Sequence, residues 1–152
     1  SNDKTGNRQN MDYVCEVDLK NTKTTKIIAG YSNYNGSKWG MDTVRNQAKD
    51  AEKATGYNIV AAINADFFNM SNGAPAGALV MNGKVYNKAN GEPYFAILKD
   101  GTPVIREYNV PLDDVQEAVG RSNILVKNGK VLDFLLKIKS NFTFQKALLM
   151  DF

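Results

Sequence analysis

Residues 77–86 read Gly-Ala-Leu-Val-Met-Asn-Gly-Lys-Val-Tyr, "GALVMNGKVY". Two apolar runs flank Asn82-Gly83. Asn-Gly and Asp-Gly supply the positive φ values that a two-residue hairpin turn demands. The same pattern returns twice downstream. "YFAILKDGTPVIRE" (94–107) is built around Asp100-Gly101, and "NILVKNGKVLDF" (123–134) around Asn128-Gly129. This spacing predicts three two-residue β-hairpins, centred on 82–83, 100–101 and 128–129.

Working outward, "DTVRNQAKDAEKAT" (42–55) puts Val44, Ala48 and Ala51 at helical spacing, with Asp42 as the start signal and Gly56 as the stop. "DYVCEVDL" (12–19) alternates Tyr13, Cys15, Val17 and Leu19. It predicts a half-buried strand that pairs with "TKIIAGY" (25–31) across a turn. "YNIVAAINA" (57–65) is almost wholly apolar and predicts a central strand. "PLDDVQEAV" (111–119) reads as a short helix capped by Asp113 or Asp114. Together these give an α+β fold: a mixed or antiparallel sheet with several β-hairpins and one main helix, residues 42–55, packed on it. Residues 1–11 read as a flexible lead-in, and 12–152 as a single domain.

Composition narrows the chemistry. The chain has 152 residues, 43% of them apolar, and a net charge of +3 from 19 basic and 16 acidic side chains. The basic residues are scattered, which argues against a nucleic-acid partner. No apolar run approaches the ~18 residues of a membrane span. Histidine is absent, which removes Ser-His-Asp and Cys-His nucleophile schemes and every histidine-based metal site. No metal or other cofactor is implied. The single cysteine, Cys15, can form no internal disulfide, and its place in the alternation predicts an inert core thiol.

The stretch before the first hairpin is the candidate site. "INADFFNM" (63–70) ends an apolar run on Asn64 and Asp66, two residues apart and so on one side of a strand. The loop "SNGAPAGA" (71–78) follows, and its small residues let backbone N–H groups approach a ligand. Phe67 and Phe68 would form an apolar wall beside Asp66. The competing reading makes Asp66 a turn residue that bonds backbone N–H groups in the loop. Trp39, near Tyr31 and Tyr34, is placed either to stack on a sugar ring or to cover the core edge. Arg121 can pair with a phosphate through two N–H groups, or stand solvated. Arg106 and Glu107 read as surface charges, and Asp113 and Asp114 as a solvated cap.

The strings "INADFFNMSNGAPAGALVMNGKVY", "PYFAILKDGTPVI" and "AVGRSNILVKNGKVLDF" resemble the phosphodiester glycosidase family, over roughly residues 12–134. The resemblance implies an α+β domain that cleaves a sugar-1-phosphodiester and releases a sugar such as N-acetylglucosamine, with a carbohydrate or sugar-phosphate substrate. It also implies a secreted or cell-surface protein, with further domains in a larger chain. By position it places Asn64, Asp66, Phe68 and Gly77 in the family's first active-site segment and Gly120 in the segment before the third hairpin. Two later family segments, an Arg-Thr-containing strand and an Asn-Leu-Asp-Gly-Gly-Gly-Ser-Ser-like loop, do not occur. The domain is therefore expected to be incomplete, altered after Asp133, poorly packed over 135–152 and of little activity by itself. The alternative function is a non-catalytic carbohydrate- or cell-wall-binding module, or an inactive fragment, of the same fold.

Overall fold

The computed structural model describes residues 2–5, 8–11, 13–20, 23–34, 38–88, 91–107, 110–120 and 123–132. In chain order the elements are β1 (Asn2–Thr5), β2 (Arg8–Met11), α1 (Val44–Thr55), β3 (Leu79–Met81), β4 (Lys84–Asn87), β5 (Tyr94–Leu98), β6 (Pro103–Arg106), β7 (Val115–Gly120), β8 (Val126–Lys127) and β9 (Lys130–Val131). The centre is a five-stranded sheet in the order β4-β3-β7-β5-β6, with two-stranded ribbons β1-β2 and β8-β9. Every strand pairing is antiparallel, so the fold is α+β with an antiparallel sheet.

The turns follow from their residues. Asn82 and Gly83 have φ of 49° and 72°, and Asn128 and Gly129 have φ of 52° and 72°. Both pairs close two-residue hairpins, as the dipeptides predict. The middle hairpin is longer than expected. Gly101 N–H donates to Leu98 O at 2.9 Å and Leu98 N–H donates to Thr102 O at 2.9 Å. Residues 99–101 thus form a three-residue loop, with Gly101 at φ 88°. Asp100 Oδ1 accepts from Thr102 N–H at 2.9 Å, and that local bond favours the wider turn.

The segment read as a helix at 111–119 is instead the sheet's central strand. Val115 is fully buried, and Ala118 and Glu117 nearly so. Helix-favouring residues are overridden here because β7 fills the gap between β3 and β5, pairing Val80 with Ala118 and Ala118 with Ala96. One face of the sheet gathers Ala78, Val80, Tyr94, Ala96, Val115 and Ala118, with Leu98, Val104 and Leu112 packed against them. The other carries Leu79 and Met81 beneath Ala29 and Tyr31, flanked by Tyr34, Trp39, Tyr86 and Val119. Burying side chains such as Val80, Met81 and Val115 contributes about 1.5–3 kcal/mol each.

Glu117 joins the second face to its cover. Its carboxylate accepts from Ala29 N–H at 3.0 Å and from Asn82 N–H at 2.9 Å. Burial pushes its pKa up, against the opposing pull of those two N–H groups and of Lys26. Residues 25–31 therefore cross the sheet without joining it. The hairpin expected from 12–19 and 25–31 does not form: residues 13–18 and 25–31 carry no ladder, and Tyr13 and Val14 are 88% and 87% exposed. Cys15 is exposed rather than in the core. Alternation gives these residues a strand pattern, but among the described residues no strand lies beside them to pair with. The same holds for 57–65, which forms no strand and leaves Val60 and Ile63 exposed.

Helix α1 starts two residues later than expected. Thr43 is its N-cap, with Oγ1 accepting from Asn46 N–H at 3.2 Å. Asp42 braces the cap through Thr43 N–H and Asn46 Nδ2, each at 2.7 Å. Gly56 ends the helix in the left-handed conformation, its N–H bonded to Glu52 O. Ala51 is the helix's buried residue, but among the described residues α1 does not lie extensively against any strand. Its apolar face is too narrow to cover a sheet. Within the opening residues, Asn2–Thr5 and Arg8–Met11 pair as the ribbon β1-β2, whose backbone bonds form without calling on an apolar pattern. The tail from 133 onward lies outside the described residues, as does any test of how 135–152 pack.

Candidate active site

Asp66 stands at the mouth of a tight loop. Its Oδ2 accepts from Gly77 N–H at 2.6 Å, and the residue is half-buried. The chain between the two folds back on itself. Phe68 bridges Pro75, Ala76 N–H donates to Phe67 O at 2.9 Å, and Asn69 N–H donates to Ala74 O at 2.8 Å. Asn69 organises the tip, its Oδ1 accepting from Ser71 N–H at 2.8 Å and Ser71 Oγ at 2.7 Å. Its carbonyl accepts from Gly73 N–H at 2.7 Å.

Two glycines let this loop dock. A Cβ on Gly73 would sit 2.2 Å from Gly40 O, so the loop tip rests on the Gly40 backbone. A Cβ on Gly120 would sit 2.7 Å from Ala78 N and 3.2 Å from Gly77 Cα. The end of β7 therefore lies directly against the residue that Asp66 holds, and Gly120 N–H donates to Ala78 O at 2.8 Å. Asn87 adds a clamp with no signal in its local sequence: its Nδ2 donates to Pro75 O at 3.0 Å and to Gly77 O at 2.7 Å. An asparagine at the end of a hairpin strand looks like any turn residue until the register of β3 and β4 brings it under the loop.

Asp66, Gly77 and Gly120 are thus brought together from three separate segments. Asn64 is exposed, and no side-chain bond ties it to this cluster. Phe67 is 74% exposed, Phe68 47% and Met70 75%, so the wall beside Asp66 is an open apolar ridge. Arg121 lies outside the described residues. The bond from Gly77 to Asp66 is also what a turn-forming aspartate would make, so both readings of Asp66 share this geometry. Chemically, the arrangement offers a carboxylate held by the Gly77 N–H, a floor of small residues and an apolar flank.

The remaining candidates resolve structurally. Trp39 packs edge-on against Tyr31, ring centroids 5.0 Å apart, and Tyr31 against Tyr86 at 5.6 Å; these rings cover the core edge. Arg106 is not a free surface charge. Its side chain is 16% exposed and pairs with both oxygens of Asp114, at 2.7 and 2.5 Å, while also donating to Pro111 O at 3.0 Å. The Arg106 guanidinium holds the Asp114 carboxyl below its usual range, and Asp114 in turn raises Arg106. Asp114 is therefore an ion-pair partner and not a helix cap. Glu107 pairs with Lys127. A separate hollow of about 40 Å³ between Ile27–Ala29 and Phe95, Glu117 and Val119 is too small for a sugar. Among the described residues no group of three or more Cys, Asp or Glu side chains converges as a metal site, and no helix is long and apolar enough to cross a membrane.

No curated protein and no solved structure matches the chain. The family model for phosphodiester glycosidase matches residues 57–146. The match begins later than the resemblance drawn from the sequence strings and continues past residue 134 into the tail. It spans more than half of the chain and contains Asn64, Asp66, Phe68, Gly77, Gly120 and Arg121. With the Asp66 carboxylate, the glycine loop and the hairpins β3-β4, β5-β6 and β8-β9 all inside that match, the chain belongs to the phosphodiester glycosidase family.

Proposed function

We propose that this domain hydrolyses the glycosidic C–O bond of a sugar-1-phosphodiester, releasing a sugar such as N-acetylglucosamine. The observation that carries this reading is the Asp66–Gly77 bond at 2.6 Å, with Gly120 against Gly77, all within the family match. Such a reaction passes through an oxocarbenium-like state, which a positioned carboxylate stabilises. Asp66 is the carboxylate assigned to that task. Phe68 offers an apolar face for a sugar ring, Asn64 a polar contact, and Gly77 and Gly120 the close backbone approach. Arg121 is assigned to the phosphate through paired N–H donors. A secreted or cell-surface setting, where such saccharides are exposed, belongs to the same reading.

The test is sugar release from an N-acetylglucosamine-1-phosphodiester by a full-length version of the domain, wild type and Asp66→Asn, with circular dichroism as the fold control. Turnover is expected to fall at least about a hundredfold, ~2.7 kcal/mol of barrier. A folded mutant with near wild-type turnover would show that Asp66 only ties the loop. A second reading, a carbohydrate-binding module without catalysis, is favoured by the exposed ridge of Phe67, Phe68 and Met70. Saturable binding of the same phosphodiester without turnover by the wild type, weakened by Phe68→Ala, would select it.

A further inference from the structure

The chain contains five Asn-Gly dipeptides, at 35–36, 72–73, 82–83, 90–91 and 128–129. Three lie wholly within the described residues. Asn-Gly is the dipeptide in which an asparagine most readily converts itself. The glycine backbone nitrogen attacks Asn Cγ, forming the N–Cγ bond; the Cγ–Nδ2 bond breaks, and ammonia leaves with the amide proton. Water then opens the cyclic imide at either carbonyl, giving aspartate or isoaspartate. The step needs a glycine N–H not committed to an acceptor, an asparagine side chain able to swing onto it, and room for the turn to deform.

The two hairpin turns form an internal control. Both read Asn-Gly-Lys-Val, and both hold the same left-handed pair of φ values, 49° and 72° against 52° and 72°. Their surroundings differ. Gly83 N–H donates to Gln116 O at 2.8 Å, Asn82 Oδ1 accepts from Gln116 Nε2 at 2.9 Å, and Asn82 N–H donates to Glu117 Oε1 at 2.9 Å. Every group the reaction must move is tied to β7. Asn72-Gly73 is tied as well: Gly73 N–H donates to Asn69 O, Asn72 Oδ1 accepts from Ala74 N–H at 2.9 Å, and Gly73 is wedged against Gly40. Gly129 N–H and the Asn128 side chain, by contrast, have no hydrogen-bond partner among the described residues. Both residues are exposed, and nothing lies within 4 Å of where a Gly129 Cβ would stand.

We infer that Asn128-Gly129 is a self-modifying site, at which the folded protein converts Asn128 to aspartate and isoaspartate with water as the only reactant, while Asn82-Gly83 and Asn72-Gly73 are protected by their tethers. Conversion lowers the net charge by one. The isoaspartate product also lengthens the backbone by one carbon inside the β8-β9 turn, which a two-residue hairpin cannot absorb without losing register.

The experiment ages the 152-residue chain at mildly alkaline pH, once native and once in urea, and maps peptides by mass spectrometry for the mass gain that marks loss of ammonia and uptake of water. In the native chain Asn128 is expected to convert at least about tenfold faster than Asn82, ~1.4 kcal/mol of barrier. In urea the two should converge, because their local sequence is the same. Gly129→Ala should slow Asn128 in both conditions. Equal native rates at Asn82 and Asn128, faster native conversion at Asn72 or Asn82, or a tenfold difference that persists in urea would each overturn the inference.

Discussion

Two short apolar stretches of this chain meet opposite fates. Leu79-Val80-Met81 lies between β4 and β7, hydrogen-bonded on both edges, and Val80 is 0% exposed. Ile59-Val60-Ala61-Ala62-Ile63 is as apolar, yet Val60 is 86% exposed, and Ile59 N–H turns aside to Glu52 Oε1 at 2.9 Å. Hydrophobic pattern measures what a segment gains if it is covered. Whether it is covered depends on strands that arrive from elsewhere in the chain. β3 has its hairpin partner two residues away and β7 on its other side; residues 59–63 have neither among the described residues.

The comparison breaks first at Met81, 1% exposed on the buried side. Met81→Ala should cost about 2–5 kcal/mol, read as a lower urea midpoint at unchanged slope. A loss within experimental error would mean that this face is not a packed core. Next comes Glu117→Ala, which removes the acceptor of the buried Ala29 N–H in the crossing segment and of the part-buried Asn82 N–H in the β3-β4 turn. At ~1–3 kcal/mol for the buried Ala29 N–H and about 1 kcal/mol for the part-buried Asn82 N–H, the expected cost is about 2–4 kcal/mol. The carboxylate also sets a sign. Its folded pKa is raised above 4.5, so the native state holds that proton more tightly than the unfolded chain does. The resulting contribution is present in full below 4.5 and is lost as pH rises through the folded value. Gln mimics the protonated acid, so the stability curves of the wild type and Glu117→Gln should lie together in acid and separate toward neutral pH as the wild type falls; an opposite slope would mean that the ionised form is the favoured one. Gly120→Ala follows, at about 1–3 kcal/mol for forcing a Cβ against the Ala78 and Gly77 backbone, checked by the same urea midpoint. The smallest effect belongs to the uncovered stretch: Val60→Ala should stay within about 0.5 kcal/mol. A cost comparable to that of Met81→Ala would show that residues 59–63 are buried in solution.

These contrasts mark what was legible in the sequence. Asn82-Gly83, Asn128-Gly129 and Gly56 were readable because the required φ values are a property of the residues themselves. The strands expected at 12–19, 25–31 and 57–65 were misread because alternation says nothing about a partner. β7 was missed for the converse reason: Asp-Asp-Val-Gln-Glu-Ala looks helical until two hairpins present edges to it. At the site, the pairing of Asp66 with the small-residue loop was within reach, since both lie a few residues apart. The approach of Gly120 to Gly77 was not, because it follows from the register of β7 on β3. Neither was the clamp from Asn87, nor the burial of Glu117.

The strand order β4-β3-β7-β5-β6 has a consequence for how the chain acquires its shape. β3-β4 and β5-β6 are local hairpins, each available as soon as its own residues are made, and each marginal alone. The strand that welds them is the last of the five to leave the ribosome. Until residue 120 has emerged, the two hairpins have no shared core, and Glu117 has not yet caught Ala29, 88 positions earlier. Assembly must then close long loops all at once. A nascent chain halted before β7 would hold two hairpins and no domain, so the vulnerable interval in the life of this protein is the one between the synthesis of β6 and the arrival of its centre.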